Sequence, residues 1–291
     1  MPSFASSFSI AGALSAIPSP PFNGFWLGPL FVHFYGLMYV IGIALAVVVA
    51  RRRWQAVGGS PELVDDLVPW VLISGIIGAR IYFDVTTPSQ IPPHWWGPIA
   101  VWDGGLGIWG GVALATLVGV WQLKRRGARV AAFMDAVAPS LLIAQAIGRI
   151  GNYFNQELFG GPTSLPWGLR IDPQFRPPGY TQYTTFHPTF LYELIFDLVW
   201  AGVLIWLGRR VKAPGLFALY VAGYSAFRIF EESLRIDYAQ HFFGLRLNFY
   251  VAGGMALLAL IWFAYAQRHG NGDEEASQPE EAVVASEAPQ R

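Results

Sequence analysis

Three arginines stand where arginines are expensive. Arg80, Arg149 and Arg228 each lie within or at the end of a long apolar run. A charge held in a bilayer costs roughly 2.5–3.5 kcal/mol on insertion scales, so it marks a functional site by default. A guanidinium presents donors in a rigid fork that suits a phosphate or a carboxylate. The run at 148–160, GRIGNYFNQELFG, surrounds Arg149 with Asn152, Gln156, Glu157 and Gly160. Arg149, Asn152 and Gln156 follow three- and four-residue steps, which puts them on one face if the helix continues. Around Arg228, Glu232 lies four residues on and Glu231 lies four residues before Arg235. Both spacings suit intrahelical ion pairs, a reading that neutralises the charges without a ligand. His187 and Pro188 precede a run that holds Glu193 and Asp197, and His33 and Tyr35 open the first long run. The stretch at 102–111, WDGGLGIWGG, includes Gly104 and Gly105 among its five glycines. It allows either tight helix packing or the approach of an acyl chain.

The elements that position these residues follow from composition. The chain has 291 residues, 54% apolar and 13% charged, with a mean hydropathy of +0.40. A soluble protein carries about 25% charged residues, so these charges are too few to cover a soluble surface of this size. The expected fold is an all-α polytopic membrane protein. Seven stretches of about 20 mostly apolar residues qualify as spans, at 31–50, 67–85, 106–123, 131–150, 188–207, 215–230 and 247–266. Eleven basic residues follow spans one, three, five and seven, against four (Arg170, Arg176, Arg235 and Arg246) in the alternate loops. That asymmetry predicts an N-terminus outside and a C-terminus in the cytoplasm. Three regions are expected. Residues 1–30 form an extracytoplasmic interfacial segment. Residues 31–269 form the catalytic membrane domain, with an outer loop region or cap at 151–187. Residues 270–291 form a disordered acidic cytoplasmic tail, with six acidic residues and one basic.

Several classes are excluded. Formal net charge is zero with no basic stripe outside the apolar segments, so the reading is no nucleic acid. With no cysteine, disulfides, thiolate catalysis and cysteine metal sites are absent. There is no phosphate-binding loop, dinucleotide fingerprint or HExxH, so neither cofactor nor metal is expected. A transporter for an anionic solute or lipid would also place arginines in a bundle, but it needs a polar path through to the cytoplasmic half.

The run at 148–160, together with HFYGLMY at 33–39, GARIY at 78–82, His187-Pro188 with Leu191-Tyr192-Glu193, and the stretch at 224–235, resembles the bacterial prolipoprotein diacylglyceryl transferase family. The match covers about residues 30–266. It implies a multi-pass enzyme of the bacterial inner membrane, with its site toward the extracytoplasmic side. The implied reaction transfers the diacylglyceryl group of phosphatidylglycerol to the lipobox cysteine thiol of a prolipoprotein, giving a thioether and glycerol 1-phosphate. The implied partners are phosphatidylglycerol, prolipoprotein signal peptides and membrane lipids.

By that resemblance Arg149 and Arg228 are the paired phosphate-handling residues. Tyr35, Asn152, Glu157, Gly160 and Glu232 match further site positions, and Arg80 and Tyr224 match supporting ones. Gly104 and Gly105 are expected beside the lipid. One position departs: where many family members have a histidine in the third-span glycine motif, this chain has Trp109. The thiol proton is left to His187, His33, Glu157 or water.

Overall fold

The computed structural model describes residues 16–237 and 239–269. Among them are seven α-helices: α1 Phe34–Ala56, α2 Pro61–Thr86, α3 Ile108–Arg125, α4 Val130–Asn155, α5 Thr189–Leu207, α6 Gly215–Leu234 and α7 Leu247–His269. Beside short 3-10 turns there are three two-stranded antiparallel pairs: β1 Gly24–Leu27 with β2 Leu30–His33, β3 Leu169–Arg170 with β4 Thr185–Phe186, and β5 His241–Phe242 with β6 Leu245–Arg246. The structure is thus mostly helical. Five segments are long and apolar enough to cross a membrane: α1, α2, α4, Thr189–Arg210 and α7. The helices α3 and α6 form where spans were expected but fall outside that set. Their sequences explain it, because α3 ends in Lys124 and Arg125 and α6 carries Arg228, Glu231 and Glu232.

Element boundaries depart from expectation at two informative places. Residues 31–33 belong to β2, which pairs Gly24 with His33, so His33 ends a hairpin and does not open a helix. The helix α4 runs past residue 150 to Asn155 and then stops at Gln156, whose φ of 50° is left-handed. The acidic tail at 270–291 and the first 15 residues lie outside the described residues.

The described chain divides into two units. The first comprises 16–45, 141–208 and 218–265; the second comprises 46–140, 209–217 and 266–269. In the first, the 151–187 segment is folded around its own core of Phe159, Leu169, Ile171 and Phe186. In the second, α2 and α3 pack on glycines. A Cβ on Gly78 would stand 2.3 Å from the Gly110 carbonyl oxygen, and one on Gly110 would stand 2.2 Å from the Gly78 carbonyl oxygen. Neither position tolerates a side chain, so here the glycine motif of α3 serves close helix approach.

Candidate active site

The first unit gathers Arg149 from α4, Glu193 from α5 and Arg228 from α6. Arg149 Nη2 lies 2.6 Å from Glu193 Oε2, and Arg228 Nη1 lies 3.4 Å from the same oxygen. One fully buried carboxylate therefore joins both guanidiniums, and Tyr224 donates to its other oxygen at 3.0 Å. Arg228 is also held by Glu231 and Glu232. The expected Glu231–Arg235 pair does not form: Glu231 turns to Arg228, and Arg235 makes a two-pronged bridge to Asp237 at 2.6 and 2.9 Å. This follows from burial, since Glu231 is fully enclosed and needs the nearest cation. Among the described residues, the Nε–H of Arg149 and that of Arg228 make no hydrogen bond, so each guanidinium keeps at least that donor to offer a ligand.

Glu232 is the hub behind Arg228. Its Oε2 accepts from Arg246 Nε at 2.8 Å, and its Oε1 accepts from Asn248 Nδ2 at 3.2 Å. Arg246 reaches on to the Asp237 carbonyl at 2.9 Å and carboxylate at 3.2 Å. Burial opposes ionisation of Asp237, but the hydrogen bonds and charges of Arg235, with the charge of Arg246, hold its carboxyl below the usual range.

The end of α4 supplies the next layer. Asn152 Oδ1 accepts from Arg149 Nη1 at 3.3 Å, while Asn152 Nδ2 donates to Glu157 Oε1 at 2.8 Å. Asn155 Nδ2 donates to the same oxygen at 3.4 Å. Gln156 leaves this face. With the helix broken, its side chain makes two bonds to Asp172, at 2.7 Å to the carboxylate and 2.8 Å from the backbone N–H. Tyr35 packs on Gly151, where a Cβ would meet the ring at 2.7 Å, and its hydroxyl lies 3.1 Å from that of Tyr39. Gly160 has no room for a side chain: a Cβ would stand 2.8 Å from His187 Cβ and 3.0 Å from the Leu234 carbonyl. A cavity of about 510 Å³ opens beside this layer, lined by Asn155, Glu157, Phe175, Pro177, Ile236 and Asp237 among others.

The second unit contains Arg80, Gly104, Gly105 and Trp109. Arg80 is 5% exposed, and carbonyl oxygens take up its guanidinium: Gly97 at 2.6 Å, Pro98 at 2.9 Å, Gly104 at 2.6 Å and Gly105 at 3.2 Å. Asp84 lies 3.1 Å away. Arg80 thus fastens the loop that leads into α3, and the two glycines meet it through their backbone oxygens. Trp109 is 51% exposed on α3.

Sequence reading assigned no site role to Glu193, Arg246, Asp237 or Asn248. A carboxylate inside an apolar run, four residues before Asp197, was the available signal for Glu193. Arg246 carried no local signal, because its partners lie 9 and 14 residues away.

Residues 23–265 match the family model described as prolipoprotein diacylglyceryl transferase. A Cutibacterium acnes protein named phosphatidylglycerol–prolipoprotein diacylglyceryl transferase is 47% identical over 276 residues, covering 91% of each chain. Proteins of the same name from Corynebacterium diphtheriae and Bifidobacterium adolescentis are 42% and 41% identical, over 88% and 90% of this chain and 96% and 83% of their own.

Proposed function

The chain belongs to the prolipoprotein diacylglyceryl transferase family, and from that premise we propose that it transfers the diacylglyceryl group of phosphatidylglycerol to a prolipoprotein cysteine. The observation that carries the site assignment is the meeting of Arg149 and Arg228 on Glu193. The thiol sulfur attacks the glycerol carbon that bears the phosphate. The carbon–oxygen bond breaks, and glycerol 1-phosphate leaves. Charge grows on the departing phosphate oxygen, so fixed guanidinium donors stabilise the transition state more than the ground state. The resting carboxylates keep these two cations oriented before substrate arrives.

The thiol must also lose its proton. A free thiol has a pKa of about 8.5, and nearby cations favour thiolate. Glu157 is the group we assign to take the proton. Its Oε1 is fixed by two amides, its Oε2 accepts no hydrogen bond among the described residues, and it lines the cavity. Tyr35, Asn152 and Gly160 shape that side of the site, and Glu232 and Tyr224 hold the arginine pair. Arg80, with Gly104 and Gly105, would orient the loop against the lipid.

In this reading residues 31–269 are a catalytic domain with seven spans, N-terminus outside, in the bacterial inner membrane. The site then faces the extracytoplasmic side, where the substrate cysteine arrives. The basic asymmetry of the loops supports that orientation. The assay is purified protein with phosphatidylglycerol and a lipobox peptide. Thioether product supports the transferase; anion flux through vesicles without product would favour a transporter instead.

A further inference from the structure

We propose that His187 is a hydrogen-bond donor, locked in one tautomer by Tyr192 and Trp167, that binds an oxygen of the substrate and does not accept the thiol proton. The proposal rests on the transferase reading for the identity of the substrate, but its geometry stands alone. Trp167 Nε1 donates to the Tyr192 hydroxyl oxygen at 3.1 Å, and that oxygen lies 3.1 Å from His187 Nδ1. An indole nitrogen can only donate, and a phenol carries a single hydrogen. Trp167 therefore takes a lone pair of Tyr192. Among the described residues the phenolic hydrogen has no acceptor other than His187 Nδ1. If Nδ1 carried the hydrogen instead, the phenolic one would find no protein acceptor among the described residues. Nδ1 accepts, so the neutral ring bears its hydrogen on Nε2. Burial lowers the pKa of His187 from its ordinary value, which favours that neutral ring.

The backbone of His187 is also fixed in place. Gly160 N–H donates to the His187 carbonyl at 2.9 Å, and His187 N–H donates to the Gly161 carbonyl at 3.0 Å. These bonds set His187 beside the 157–161 loop, which carries Glu157 and Gly160. Among the described residues Nε2 has no hydrogen-bond partner. A nitrogen that already holds a hydrogen cannot take one from a thiol. It can give a hydrogen bond to a phosphate oxygen of the lipid or to a carbonyl oxygen of the peptide. In this role Tyr192 and Trp167 are positioning residues.

The test uses the full-length protein in detergent micelles with ¹⁵N-labelled histidine. The chain has five histidines, and loss of one set of signals in His187→Gln assigns the resonances. Nδ1 is expected at a pyridine-type shift and Nε2 at a pyrrole-type shift. Tyr192→Phe and the milder Trp167→Phe should each move the Nδ1 resonance. In the transfer assay, Gln places its amide nitrogen where Nε2 stood, whereas Asn places it where Nδ1 stood. His187→Asn should fall about tenfold in kcat/KM below His187→Gln, the scale of one neutral hydrogen bond. A KM rise for phosphatidylglycerol alone puts the acceptor on the lipid; a rise for the peptide alone puts it on the peptide. A pyridine-type Nε2 in the wild type, or equal kcat/KM for the Asn and Gln variants, would overturn the proposal. Absence of transfer by the wild type would overturn the functional reading and leave the tautomer result standing.

Discussion

Arg149 and Arg228 share Glu193, and that sharing governs what each substitution should do. Lysine keeps the charge of either arginine but loses the planar fork. We expect Arg149→Lys and Arg228→Lys to insert normally and to lose roughly 100- to 1000-fold in kcat, the cost of a transition-state donor; steady-state kinetics on purified variants check this. Glu193→Gln removes the carboxylate common to both cations. Breaking a buried pair from one side costs about 3–5 kcal/mol, so its melting temperature should fall clearly below wild type. Asp197 gives the opposite expectation. It is fully buried, and among the described residues neither of its oxygens accepts a hydrogen bond. Asp197→Leu should therefore raise stability by about 1–3 kcal/mol, the desolvation cost of such a group. A fall in turnover in that same variant would show the carboxyl is kept for the reaction. The arginines were legible in the sequence because a cation in an apolar run has to be explained. Their partners were legible only in part. Glu232 sits at helical spacing from Arg228, whereas Glu193 and Arg246 come from other elements and meet the cluster only through tertiary packing.

At the scale of elements, placing Arg149, Asn152 and Gln156 on one face requires a continuing helix, and α4 continues only to Asn155. Spacing alone continues a helix, but Gln156 and Leu158 adopt left-handed backbone with φ of 50° and 57°. That turn sends the chain back to bring Glu157 beside Asn152. The folded 151–187 segment was legible as a loop rich in glycine, proline and aromatics, but its pairing was not. Asp172, held by Gln156 and by Ser19 Oγ at 2.7 Å, ties this segment to the chain before β1. Those two hydrogen bonds keep its carboxyl below the usual range. A depressed folded-state value contributes stability above the unfolded pKa near 4 and loses it as pH falls through the folded value. Melting followed against pH should show that loss in the wild type and a blunted one in Asp172→Asn. Gly160→Ala should also be damaging, since His187 and the Leu234 carbonyl already crowd the position.

For the whole molecule, apolar run length placed helices at all seven expected positions, and α6 also carries the charges of Arg228, Glu231 and Glu232 within its run. Their partners had to be seen in three dimensions, because a run of residues does not state which neighbour neutralises its charges. Reporter fusions after Arg53, Arg126, Arg210 and Arg268 should report cytoplasm, and those near Pro92, Pro177 and Gln240 should report the outside. A cytoplasmic signal at Pro177 would contradict the seven-span arrangement. In the proposed reaction two arginines on one buried carboxylate stabilise a leaving phosphate while a substrate thiol attacks. Mass spectrometry of a lipobox peptide incubated with phosphatidylglycerol and wild-type, Arg149→Lys or Arg228→Lys protein tests it most directly. The expected result is a diacylglyceryl thioether on the cysteine with wild type, none on a Cys-to-Ser peptide, and at most about one-hundredth of the rate with either lysine variant. Near-normal thioether formation by both variants would contradict the account.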